Sequence, residues 1–444
     1  MKNILKRQYN FFTTMCIVVG FIVGTGIFWR PGRVLQEAGG SLQLGIAAWI
    51  VGGLVISTCV YMFAIMASRY EKIHGMVDYA EAIAGKNYGY LAGWFFAIMY
   101  QSAGYAIIAW ISASFTATFA GHSNVTNTPF VFSLALFYMV CVFLLNYFSP
   151  KIPIRLNNFT TTVRLIPLIA IGLAGLIWGN FGEIDGAYRY MDMEINPSFL
   201  GAVFATVFAY NGWQAAVAFN SEINNSKKKF PAALMSGFFL AVVIYVMYFI
   251  GVVTTGDPIL LMENNQLGTR AAFTVFGEAA ADFVLIFVII SGLGILNMCC
   301  MGMGRSLYSL GRRGLGPLPD KMAELKSGIP AFSMTTCFIV SLIWLGVIWA
   351  NHNLNFVLLG QNFTFDLPDF YNMVFFALLI PIFIGFIIKN HNSNLIFVNK
   401  IIFPSLAVVG AGFMIFALVI SNPVNALVYT GTFLILGAVG LGLK

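Results

Sequence analysis

Twelve apolar runs, each roughly 20 residues or longer, follow one another with short polar breaks between them, and that rhythm leaves few folds open. They occupy residues 11–37, 44–68, 88–114, 130–148, 157–178, 198–219, 232–255, 280–307, 330–350, 367–388, 402–420 and 424–442. A helix of about 20 residues rises ~30 Å, the thickness of a bilayer's hydrocarbon core. Within lipid every backbone N–H and C=O must be satisfied by the chain itself, so such runs become helices. The expectation is an all-α polytopic membrane protein with twelve spans. The longest connection, residues 256–279, has no room for a soluble domain.

Charge agrees with this reading. Only 9% of the residues are charged, against about 25% in soluble domains. The net charge of +7 comes from Lys and Arg scattered through short loops, not from a clustered basic face, which argues against nucleic acid. With the N-terminus placed in the cytoplasm, 19 Lys and Arg fall inside and four (Arg30, Arg33, Arg189, Arg270) outside, leaving Arg164 within a span. That bias orients the chain with both termini cytoplasmic, in the cell membrane. The first run is long and carries straight into a glycine motif, so it reads as a span and not as a cleaved leader.

The six cysteines (Cys16, Cys59, Cys141, Cys299, Cys300, Cys337) lie in or at the ends of apolar runs without ligand spacing. They read as small packing residues. The four histidines likewise show no metal pattern, so no metal or cofactor is expected. An intramembrane enzyme would need clustered His, Asp or Glu, and none is visible. Glu278 and Asp282 share a helix face at the start of a span and read as an interfacial pair.

Runs one and six are the unusual ones. The first contains "VVGFIVGTGIFWRPG", with Gly20, Gly24 and Gly26 near mid-membrane, and the sixth contains "FAYNGW", with Asn211-Gly212. Glycine costs a helix about 1 kcal/mol relative to alanine. Gly20 and Gly24 fit a helix-packing face as well, but Gly26 points elsewhere. A break at Gly24-Thr25-Gly26 frees carbonyls on one side and amides on the other, with the second half-helix starting near Ile27-Phe28. The amides suit a carboxylate and the carbonyls an ammonium. Two breaks side by side would form a zwitterion socket, the chemistry an α-amino acid needs.

These residues carry a resemblance. "GTGIFWRPG", "FAYNGW…SEINNSKKKFPAAL" and "SGLGILNMCCMGMGRSLYSLGRRGLGPLP", in that order, resemble the amino acid–polyamine–organocation superfamily, nearest its L-type amino acid transporters and their bacterial exchanger relatives. The likeness runs from residue 11 to about 320 and fades beyond. It implies a single transporter domain over residues 1–444 with the LeuT-type fold. Residues 11–178 and 198–388 would be inverted repeats of five helices each, with helices 1 and 6 discontinuous and 402–442 adding two more.

The resemblance also implies site residues. Thr25, Gly26 and Ile27 would hold the substrate carboxylate. Ile22, Val23, Phe208, Ala209 and Asn211 would supply carbonyls. The Phe208 ring would close over the substrate, although ordinary packing also accounts for it. Asn297 and Ser291 are pocket candidates in span 8, and Tyr100, Gln101 and Ser102 in span 3 line the pocket or bond a neighbouring helix. Two departures stand out: the acid of the second helix is absent at 64–67, and the loop after it keeps only Gly75, with Glu71 at the proline position.

Arg164, in "TTTVRLIPL", is a charge inside a span. In the resemblance a lysine here bridges helices 1 and 8 in place of sodium. Arginine would hold that place without ever releasing its proton. The other placement is snorkelling to the inner interface. The functional expectation is a sodium-independent exchanger or permease for neutral L-amino acids. A proton-coupled amino acid or polyamine carrier is the alternative. No cysteine lies in residues 118–130, so a disulfide-linked heavy chain is not expected.

Overall fold

The computed structural model describes residues 10–69, 76–122, 128–149, 156, 159–160, 163–181, 197–217, 223, 225–326, 328–354, 356–358, 361–393 and 395–444. Glu71, Gly75 and Arg189 lie outside them.

Among the described residues, ten helices are long and apolar enough to span a membrane: Phe11–Trp29, Leu42–Arg69, Lys86–Phe119, Pro129–Phe148, Lys227–Thr255, Glu278–Gly311, Ala331–Asn353, Leu367–Asn390, Val398–Ser421 and Pro423–Gly442. They fall on ten of the twelve expected spans. The other two places hold shorter helices, Leu165–Trp178 and Phe199–Tyr210. The second of these is short because it is broken, and the chain resumes as Trp213–Ala216. Beyond helices the described residues form one small hairpin, Phe356–Leu358 against Gln361–Phe363.

Burial sorts the helices into centre and rim. Of the most apolar stretch of Lys86–Phe119, 72% is buried in the protein, against 17% for Pro423–Gly442. The exposed side chains of the rim helices are large and apolar, such as Ile388, Val409, Leu427, Leu434 and Ile435. A surface of that kind faces lipid, not water. The Leu42–Arg69 helix packs along Ser226–Thr255, which in turn packs on Leu165–Trp178 and on Phe11–Ile22. The first broken helix is therefore held inside the bundle.

Ion pairs tie the two ends. At one end Arg313 pairs with the carboxylates of Asp78 and, at 2.8 Å, Glu81. At the other, Arg30 pairs with Asp369. Glu278 and Asp282 both bond Arg270, at 3.0 and 2.8 Å, in an exposed cluster that fits their reading as an interfacial pair.

Candidate functional site

The first break comes where the glycines predict it. The opening helix ends at Ile22, Val23 turns out with ψ 98°, and the chain re-enters helix at Gly26, slightly earlier than the expected Ile27-Phe28. The second break is at Asn211-Gly212, with Gly212 at φ 112°, a left-handed conformation that side chains resist. Glycine is required there for a second reason. A Cβ on Gly212 would lie 2.1 Å from Phe21 O, so the second break presses directly on the end of the first half-helix. Gly26 is crowded as well, since its Cβ would meet Ala209 Cα at 2.9 Å. The two breaks are in contact through backbone.

That contact leaves donors and acceptors together. Among the described residues, the amides of Thr25, Gly26 and Ile27 donate to no other group, and the buried Thr25 hydroxyl has no partner. These are the orphan amides of a helix start, which favour an anion. On the carbonyl side, the Tyr245 hydroxyl sits 2.8 Å from Ile22 O and 3.0 Å from Ala209 O and donates to both in a shared bond. Each carbonyl keeps a lone pair for a second donor. Tyr245, on the Ser226–Thr255 helix, thus links the two breaks. Sequence reading passed over it, one tyrosine among 18.

A cavity of about 170 Å³ opens beside the breaks. Ile22, Thr25, Gly26, Phe208, Ala209 and Asn211, all expected at the site, line it together. Tyr100 and Gln101 join them, carried inward by a π-helical turn, Phe96–Gln101. Ser102 instead packs between helices, its hydroxyl 3.0 Å from Cys337 O. Val23, Ile27, Ser291 and Asn297 lie outside the lining. Asn297 accepts a bond from Asn146 at 2.9 Å, and its helix neighbours Ile295, Met298 and Cys299 reach the cavity in its place. Among the described residues, no lining side chain carries a formal charge.

Above the cavity Phe208 meets Tyr371 edge-on, and Tyr371 stacks on Tyr100 at 4.5 Å. The Arg30 guanidinium lies 5.2 Å from the centre of the Phe208 ring and pairs with Asp369. It faces a second hollow of about 440 Å³, lined also by Trp29, Trp110, His352 and Asp366. Phe208 and Arg30 together separate the two spaces.

Arg164 is fully buried. Its Nη1 donates to Gly20 O at 2.5 Å and Val23 O at 3.0 Å, and Met298 Sδ lies 3.7 Å from Nη2. The guanidinium therefore spans from the first break to the Glu278–Gly302 helix, and snorkelling is excluded.

Residues 9–443 match the family described as amino acid permease. The chain belongs to that family. The permease is 26% identical over 380 residues to the serine/threonine exchanger SteT of Bacillus subtilis, covering 85% of this chain and 84% of that one. It is 24% identical over 443 residues to the b(0,+)-type amino acid transporter 1 of Mus musculus, covering 98% and 87%. With the glutamate/serine transporter AimA of B. subtilis the identity is 29% over 366 residues, covering 77% and 66%. The permease is a multi-pass membrane protein of a transporter family.

Proposed function

We infer that this permease is a sodium-independent exchanger or facilitator that carries neutral L-amino acids by alternating access. The observation that carries the reading is the apposed pair of breaks, with free amides at Thr25, Gly26 and Ile27 and carbonyls at Ile22, Phe208 and Ala209, the Val23 carbonyl being taken by Arg164. The substrate carboxylate takes the amides and the Thr25 hydroxyl. Its ammonium takes the carbonyls. Asn211, which donates to Asn372 Oδ1 at 2.6 Å, fixes the second break against the Leu367–Asn390 helix.

Arg164 occupies the place where a coupling cation would sit, and its charge repels one. Arginine does not titrate in the physiological range, so it drives no proton coupling. The chemistry favours exchange over symport, and an uncharged cavity disfavours polyamines. We further assign twelve spans, a five-plus-five inverted repeat (11–178 and 198–388) and two appended helices. Both termini are assigned to the cytoplasm and the protein to the cell membrane, without a disulfide-linked heavy chain. Ser291 and Asn297 are assigned to support of the pocket from behind.

Counterflow in proteoliposomes tests this. Labelled amino acid should accumulate in vesicles preloaded with unlabelled amino acid, equally with sodium, without sodium and with no proton gradient. Uptake into empty vesicles driven by a sodium or proton gradient would make the protein a symporter.

A further inference from the structure

Among the described residues, two glutamine side chains in the cavity wall are each half-satisfied, and in opposite senses. Gln101 Nε2 donates to Gly302 O at 2.9 Å, which fixes the amide's orientation and leaves Oε1 buried without a partner. Gln214 Oε1 accepts from the Gly212 amide at 3.2 Å, leaving Nε2 buried without a partner. Gln214 itself is 6% exposed. Both residues line the same cavity as the breaks, yet neither belongs to the backbone groups that would grip a zwitterion.

Native proteins rarely leave such atoms dry, because a buried amide atom without a partner loses its hydration for nothing. One spare acceptor and one spare donor in a wall that carries no charge describe a ligand group that is neutral and both donates and accepts. We propose that Gln101 and Gln214 read the substrate side chain, and that the preferred cargo is an amino acid bearing a hydroxyl or a carboxamide. Gln101 Oε1 accepts from the O–H or N–H of that group, and Gln214 Nε2 donates to its oxygen. A charged side chain would meet no counter-ion there. A purely apolar one would seal both glutamine atoms away from water unpaired, and a site built to hydrogen-bond discriminates strongly against the analogue lacking the group. The π-helical turn serves this role, since its extra residue turns Gln101 toward the cavity while Ser102 stays in the helix interface.

The inference rests on the amino acid reading above, and one experiment separates the two. Competition for binding to the purified wild-type permease would compare shape-matched pairs: threonine with valine, serine with alanine, and glutamine with methionine. The expected result is at least a 10-fold tighter inhibition constant for the polar member of each pair. In Gln101→Met and Gln214→Met the gap should shrink to less than 3-fold, through weaker binding of the polar member. Equal competition by valine and threonine in the wild type would overturn the proposal while leaving amino acid transport intact. If no amino acid competes, the transport reading falls and this one with it. Should a variant fail to fold, judged by its size-exclusion profile, the wild-type pairs alone decide.

Discussion

Arg30 Nη2 lies 3.3 Å from Asp369 Oδ1, joining the residue just past the first half-helix break to the first turn of the Leu367–Asn390 helix. Both side chains are buried, and the Arg30 guanidinium rests against the Phe208 ring that lines the cavity. The pair therefore holds the cavity shut toward its own end. Removing one member of a buried pair costs up to about 3–5 kcal/mol, and here Asp366, 3.9 Å from Arg30 Nη2, still faces the guanidinium and keeps the loss below that. Asp369→Ala should open this end. In a background lacking the exposed Cys16 and Cys141, Cys299 in the cavity wall should react at least 10-fold faster with an impermeant thiol reagent added from the Arg30 side. Unchanged labelling would show that the pair does not gate access.

Tyr245→Phe removes the one hydroxyl bonded to both breaks. The lost bonds should lower stability by about 1–2 kcal/mol. Substrate affinity should fall by about 10-fold or more, since Ile22 O and Ala209 O lose the bridge that aligns them. Thermal unfolding and equilibrium binding on the same preparation check both effects. A loss of stability with unchanged affinity would assign Tyr245 to packing alone.

Gly212→Ala places a methyl group against Phe21 O at a backbone angle alanine resists. It should abolish binding. Gly346→Ala, inside the Ala331–Asn353 helix where nothing lies within 4 Å, should leave binding unchanged and raise stability by up to about 1 kcal/mol. Ligand binding by the two purified variants makes the comparison, and a binding-competent Gly212→Ala would mean that the breaks need not touch.

Arg164→Ala strips Gly20 O and Val23 O of their donor and leaves a cation-sized space beside them. Transport should fall to background in sodium-free buffer and recover in part when sodium is added, because sodium accepts carbonyl ligands. The wild type should ignore sodium throughout. Full activity of the variant without sodium would remove Arg164 from the transport cycle.

Both breaks could be read from sequence because glycine in an apolar run is a local signal with a local cause. Gly24, Gly26 and Gly212 each interrupt a helix that lipid would otherwise enforce. Arg164 was legible for the same reason, being a charge within a span, though its partners were fixed only by the fold. What the chain order hid was long-range. Arg30 counted as one of the few basic residues on the outer side, and nothing local joins it to Asp369, 339 residues away. Tyr245 looks like any membrane tyrosine until two carbonyls from separate helices converge on it. Gln214 follows the Asn211-Gly212 break so closely that its signal merged with the motif. Asn297 misled in the opposite way. It fits a family motif, but its side chain turns to Asn146, and the cavity is met by the next two residues, Met298 and Cys299.

The central claim is that backbone groups at the two breaks hold both charges of an amino acid. The most direct test is binding competition between a transported amino acid, its methyl ester and its N-acetyl derivative, with the side chain held constant. The account predicts that each blocked form loses at least 100-fold in affinity, since each removes one charge from the site. Competition by either blocked form at the strength of the free amino acid would contradict it.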